Sequence, residues 1–239
     1  FAVAGLLAAW QILAWLVHRP ILPSPVTVAS VLFYEIGHGM LEHVLASLWR
    51  VVASTVLAVV LAAPAGLVLG QSKQLNRIFS PIIYLLYPVP KVVFVPIILL
   101  MLGIGNFPKI VIIFIILFFQ VLVLVRDQAA SLRPELIESV RSLGAGRRAL
   151  FRFVYLPASL PAILTALRQS VGTAVAVLYI VELIATQKGL GYYIYLNGST
   201  LFNYPAMYAG IIAMSLLGLG LYFAVDGIEK WLTPWQSAD

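Results

Sequence analysis

The sequence predicts an all-α integral membrane protein, a bundle of six apolar helices with one long polar loop. Three observations predict it. Hydrophobic residues make up 62% of the 239, and charged residues only 10%, against roughly a quarter in a soluble domain. The mean hydropathy is +1.01, so the chain has too little polar surface to face water all round. The apolar residues also fall in stretches of about 20, the length that crosses a bilayer, separated by short polar or Gly/Pro-rich intervals. One bundle over residues 1–239, with no second domain, follows from that layout. The chain has no cysteine, which excludes disulfides, thiol catalysis and cysteine metal sites. A net charge of +6 is compatible with nucleic acid, but the basic residues sit in loops beside apolar spans, where they read as topology and lipid-headgroup contact.

In order along the chain, the expected spans are residues 1–17, 44–70, 78–102, 109–125, 158–184 and 206–232. Trp10 and Trp15 anchor the first at an interface, and Trp231 and Trp235 close the last. The chain begins at Phe1, and a missing N-terminal stretch fits better than a cleaved signal peptide. His18 to Pro25 reads as an extended exit, and residues 26–40 as a segment along the membrane surface. Pro64 and Gly66 allow the second span to bend, and Pro88-Val89-Pro90-Lys91 interrupts the third. Residues 103–108 form a glycine-proline turn, and 185–205 an aromatic, glycine-bearing loop. Lys73, Arg77, Arg126, Arg133, Arg141, Arg147, Arg148 and Arg152 lie in the 71–77 and 126–157 intervals; the alternate loops hold Arg19, Lys109 and Lys188. The positive-inside rule therefore places the first set, and with six spans both termini, in the cytoplasm. Arg50 runs against this trend and is read as snorkelling or paired.

The polar interval 126–157 is the most informative stretch. Pro134 suits a first helical turn, and Leu136, Ile137, Val140 and Leu143 then make an apolar stripe. Gly144 turns the chain. A second amphipathic turn carries Leu150, Phe151 and Val154 on one side and Arg148 and Arg152 on another, and Leu156-Pro157 ends it. Such a pair either lies on lipid headgroups or forms a docking knob.

Glu138-Ser139-Val140, Gly144 and Val154-Tyr155-Leu156-Pro157 resemble the E-A-A, three residues, Gly, nine residues, I-x-L-P loop of bacterial ABC importer permeases, with Ser139, Val140 and Val154 departing from it. Leu22-Pro23-Ser24-Pro25, Ser47-Leu48-x-Arg50, Gly103-Ile104-Gly105 and Gly189-Leu190-Gly191-Tyr192 extend the resemblance over nearly the whole chain, toward the subgroup importing sulfonates, taurine, nitrate and some vitamin precursors. The resemblance implies a type I importer permease in the bacterial inner membrane. It would work as a homodimer with two ATPase subunits and an extracytoplasmic substrate-binding protein, moving a small polar solute by alternating access. Glu138, Ser139, Val140, Leu143, Gly144, Arg147, Arg148 and Pro157 would then belong to a coupling helix that sits in a groove of the ATPase. No phosphate-binding loop occurs in this chain, so ATP and Mg are expected on the partner and no cofactor or metal on this polypeptide. A membrane enzyme is disfavoured because no acid, base and metal set converges. His38 and His43, near Glu35 and Glu42, offer at most a weak surface metal contact. A passive channel or structural bundle remains the alternative, and leaves the loop unexplained.

Polar groups inside the spans are the candidate path. They cost at least about 2.5–3.5 kcal/mol at a helix centre unless they meet a cavity or a partner. Arg168 and Glu182, fourteen residues apart, fall within about 40° of one helix face and roughly 21 Å apart along it. Gly172 and, more loosely, Val175 and Tyr179 share that face. It either lines the path at a dimer axis, or Arg168 caps loop carbonyls or pairs with a carboxylate near the cytoplasmic side, and Glu182 bonds the following loop. Pro88 and Pro90 free carbonyls that protein or water must satisfy, so Lys91 either borders a water-filled cavity and meets an anionic solute, or reaches an interface. Gln120, Gln169 and Thr173 are further lining candidates, and the tyrosines from 192 to 208 an aromatic belt.

Overall fold

The computed structural model describes residues 1–184 and 186–234, without the side chain of Arg147. Every regular element among the described residues is helical. Trp235 and the side-chain role expected of Arg147 fall outside that description.

Among the described residues, eleven α-helices follow one another: α1 (Ala2–Val17), α2 (Pro25–Glu35), α3 (Leu41–Gln71), α4 (Lys73–Leu86), α5 (Val95–Leu102), α6 (Asn106–Ala130), α7 (Pro134–Ser142), α8 (Arg147–Leu150), α9 (Leu156–Leu183), α10 (Leu190–Tyr195) and α11 (Tyr204–Leu232). Four continuous runs of the described residues are long and apolar enough to cross a membrane: Pro25–Gln71, Asn106–Ala130, Arg148–Leu183 and Tyr204–Leu232. The pair Lys73–Leu86 and Lys91–Leu102, bent by 74°, makes a fifth if taken as one broken span. The first expected span, α1, has 16 residues. That is about 24 Å of helix, less than the roughly 30 Å of a hydrocarbon core.

Several boundaries differ from the sequence-based ones, each for a local reason. Residues 26–40, expected along the surface, are helical. Ser24 caps α2 by accepting from the Thr27 N–H, Pro25 occupies its first turn, and the helix runs toward α3 through a kink at His38 and Gly39. α6 continues past residue 125 to Ala130 and takes in Arg126, which is buried beneath the Tyr84 ring and bonded to Asp127. Leu156-Pro157 does not end the second amphipathic turn. α8 passes through a π turn at Phe151–Tyr155 straight into α9; the Leu156 N–H reaches back to the Phe151 carbonyl, and this wider turn takes up the register where Pro157 has no N–H to donate.

The chain packs as two compact units, residues 1–50 with 178–219 and residues 51–177 with 220–239. In the first, Trp10 donates to the Pro23 carbonyl at 3.1 Å and packs its ring 5.8 Å from Tyr208. Val28, Met40, Leu178, Val181, Leu190 and Ala209 are buried there. The core of the second gathers Ala62, Ala63 and Leu67 of α3, Ile83 of α4, Val121, Leu122, Val125 and Ala129 of α6, and Ile163 of α9. Small residues on α3 let its backbone approach α6, and Ser54 donates to the Ile110 carbonyl at 3.2 Å.

Candidate functional site

The two-helix knob is the first part of the site. Pro134 starts α7, and its apolar residues Leu136 and Val140 turn toward Phe153, Val154, Pro157 and Ala158, leaving between them a cavity of about 430 Å³. Leu143 stands 85% exposed at the tip. Gly144 follows with φ 83°, a left-handed conformation that costs a residue with a Cβ about 1–2 kcal/mol; around it there is open space. Glu138, Ser139, Arg148 and Pro157 are exposed and Val140 half-buried, while Leu150 and Val154 are buried beneath. The knob thus shows water a charged rim and exposed apolar groups, with Leu143 at the tip and Phe153 and part of Leu136 behind it.

The second part is the break between α4 and α5. Pro88 and Pro90 interrupt the helix, and the Lys91 ammonium turns back to donate to the carbonyls of Leu86 at 3.0 Å, Tyr87 at 3.1 Å and Val89 at 3.4 Å. These are the acceptors that the lost helical donors would have satisfied. The ammonium also lies 4.6 Å from the centre of the Phe119 ring. A cavity of about 320 Å³ opens beside it, lined among others by Tyr87, Lys91, Gln120, Thr173 and Val177. A second cavity of similar volume lies along the same two helices, lined by Gln128 of α6 and by Pro161, Thr165 and Gln169 of α9. Gly172 stands in open space. Lys91 and Thr173 therefore line one cavity and Gln169 the next, each between α6 and α9. Gln128 and Thr165 line that second cavity unforeseen; their spacing of eight from Gln120 and of four from Gln169 was the available signal.

The remaining charged candidates go elsewhere. Glu182 is fully buried and, contrary to the path-lining expectation, closed in by protein. Arg50 Nη1 donates to it at 2.5 Å, Ser47 Oγ lies 2.9 Å from both carboxylate oxygens, and the Gly191 N–H donates at 2.8 Å. Arg50 also donates to the Lys188 carbonyl at 2.7 Å, and the Leu190 N–H donates to Ser47 Oγ at 2.8 Å. Gly189 has φ 141°, and a Cβ there would run into the Glu182 carboxyl. The anomalous Arg50 is thus a paired residue, and the Ser-Leu-x-Arg and Gly-Leu-Gly motifs are the two halves of one clamp.

Arg168 makes ion pairs with Asp226 at 2.9 Å and with Glu229, so its paired reading holds rather than that of an open cation. Asp226, Glu229 and Lys230 went unread, although ionisable groups at spacings of three and four within an apolar span were a legible sign. Tyr179 is over a third exposed on its turn of α9. His38 contacts the Tyr34 carbonyl and His43 the backbone of Gly189, so the two rings have separate partners.

Apolar spans, one broken by prolines beside a polar groove, joined to an exposed amphipathic knob, define the permease class of membrane transport subunit. The chain belongs to the binding-protein-dependent transport system inner membrane component family, whose profile matches residues 54–237. It is an ABC importer permease and a multi-pass inner-membrane protein. The taurine transport system permease protein TauC of Escherichia coli (strain K12) is 32% identical over 242 residues, covering 98% of this chain and 88% of that protein. The formylaminopyrimidine transport permease protein ThiX of Halalkalibacterium halodurans is 28% identical over 232 residues, covering 97% of this chain and 92% of the relative. In fold, the chain is similar to one from the inward-facing MetNI methionine ABC transporter, with a TM-score of 0.72 at 22% identity over 81% of this chain and 96% of that one.

Proposed function

We propose that the chain is the membrane subunit of an ATP-driven importer that works as a homodimer with two ATPase subunits and an extracytoplasmic substrate-binding protein. ATP and Mg are held by the ATPase, and both termini of the permease face the cytoplasm. The observation that carries the docking role is the knob. Leu143 is a large apolar group left 85% exposed on a polar loop, at a turn that only glycine holds without strain. Its charged rim and apolar tip suit a protein groove. Glu138, Ser139, Val140, Leu143, Gly144, Arg147, Arg148 and Pro157 are assigned to that contact, and ATPase closure is passed through α8 into α9. The cargo is a small polar solute, such as a sulfonate, nitrate or a vitamin precursor, delivered by the binding protein. Relatives named for taurine and for formylaminopyrimidine transport are about equally similar to this chain, which supports placing most of the specificity in the binding protein.

Gly144→Leu tests this reading. The site is open, so the variant should insert and fold, yet the left-handed turn should be lost. Uptake by the complete transporter should fall to background while the permease remains at wild-type level in the membrane. Normal uptake would overturn the docking role.

A further inference from the structure

Among the described residues lining the cavity at the proline break, Lys91 carries the one charged side chain. The cavity's polar side chains are the Lys91 ammonium, the Gln120 amide, the Thr173 hydroxyl and the Tyr87 phenol, and none of the described residues lining it is acidic. Gln120 lies near the middle of the 25-residue α6, at the depth where a polar group is costly unless it faces a cavity or a ligand. Broken spans at this depth commonly leave helix-end carbonyls that hold a cation. In this chain Lys91 supplies that cation from within, over the carbonyls of Leu86, Tyr87 and Val89. An ammonium has three donors. Two are held at 3.0 and 3.1 Å, and the third, to Val89, at 3.4 Å is the weakest and the one a ligand oxygen can take over.

We infer that this cavity is a subsite for a compact oxyanion group on the transported solute, with Lys91 as resident counter-charge and Gln120 and Thr173 as hydrogen-bonding partners. The volume of about 320 Å³ has room for a small oxyanion group. Selection here acts on the sign of charge after the binding protein has delivered its cargo. The inference rests on the importer reading and adds a site to it.

The chain has no cysteine, so Thr173→Cys gives a single reporter thiol in the permease of the complete transporter. Its modification is followed by mass shift of the permease, with an anionic (sulfonatoethyl) and a cationic (trimethylammonioethyl) methanethiosulfonate. Each rate is divided by that with free mercaptoethanol. The normalised anionic rate should exceed the cationic one, and the ratio should fall about tenfold in a Lys91→Gln background, as expected when one unit charge is removed from a partly screened site. Gln120→Glu, which leaves the helix break intact, should lower the ratio as well. Methanesulfonate should slow the anionic reagent at least twofold. A ratio at or below one, a ratio indifferent to both variants, or a thiol that neither reagent reaches would overturn the subsite. Binding-protein-stimulated ATP hydrolysis by the unmodified transporter tests the importer reading separately. Charge-blind labelling with normal stimulation removes only the subsite, whereas absent stimulation removes the importer.

Discussion

Glu182 and Lys91 are both ionisable groups within apolar helices, and the protein treats them in opposite ways. Glu182 is sealed: a guanidinium, a hydroxyl and a backbone N–H surround its carboxylate, and the side chain is fully buried. Lys91 is held by backbone carbonyls and the Phe119 ring, with no carboxylate against it among the described residues, and a cavity opens beside it. The difference teaches that a charge in a span marks a path only where its partners leave room next to it. Where they close around it, the charge joins segments far apart in sequence, as Arg50 and Glu182 do across 132 positions.

The comparison breaks first at the sealed end. Glu182→Leu leaves Arg50 buried without its charge partner, and removing one member of a buried pair costs about 3–5 kcal/mol. The variant should lose much of its folded yield, and thermal unfolding in nanodiscs should shift down by many degrees. The double variant Arg50→Met/Glu182→Leu should recover most of that loss. A double variant no better than the single would mean that the pair holds more than its own charges. Next in size, Gly191→Ala puts a Cβ 2.7 Å from that of Glu182 and 2.9 Å from the Tyr179 carbonyl. It should loosen the clamp, seen as faster proteolysis in the segment beginning at Gly189, with the knob's susceptibility unchanged. Smallest in stability is Lys91→Ala, at the open end. Water in the open cavity can take over the three carbonyls, so the substitution should destabilise by about 1–3 kcal/mol, yet raise the half-saturating concentration for anionic solutes. Unchanged uptake kinetics would make Lys91 a helix-end staple and nothing more.

Much of the fold was legible because membrane helices announce themselves by composition: the cores of α3, α6, α9 and α11 fall where apolar runs exceed the bilayer's length. The knob was legible because Pro134 and Gly144 each have a steric reason to start or turn a helix. The break at Pro88 was legible for the same reason. What escaped were long-range pairings, which leave no periodic trace. Nothing local to Glu182 says that Arg50 closes over it rather than water, and nothing local to Arg168 singles out Asp226 and Glu229 as its partners. The continuous passage from α8 into α9 was missed because Leu156-Pro157 resembles a stop signal, while the π turn at Phe151–Tyr155 takes up the register without breaking the helix.

That continuity has a mechanical sequel. Arg148 and Thr173 lie on one unbroken helix, so roughly 38 Å of rod connects the rim of the knob to the wall of the groove. The π turn, Pro157 and Pro161 are the places where it can flex. A twist applied at Phe153 therefore reaches Thr173 chiefly as rotation about the rod's own axis, the motion of a key in a lock, swinging the hydroxyl toward or away from whatever occupies the space beside Lys91.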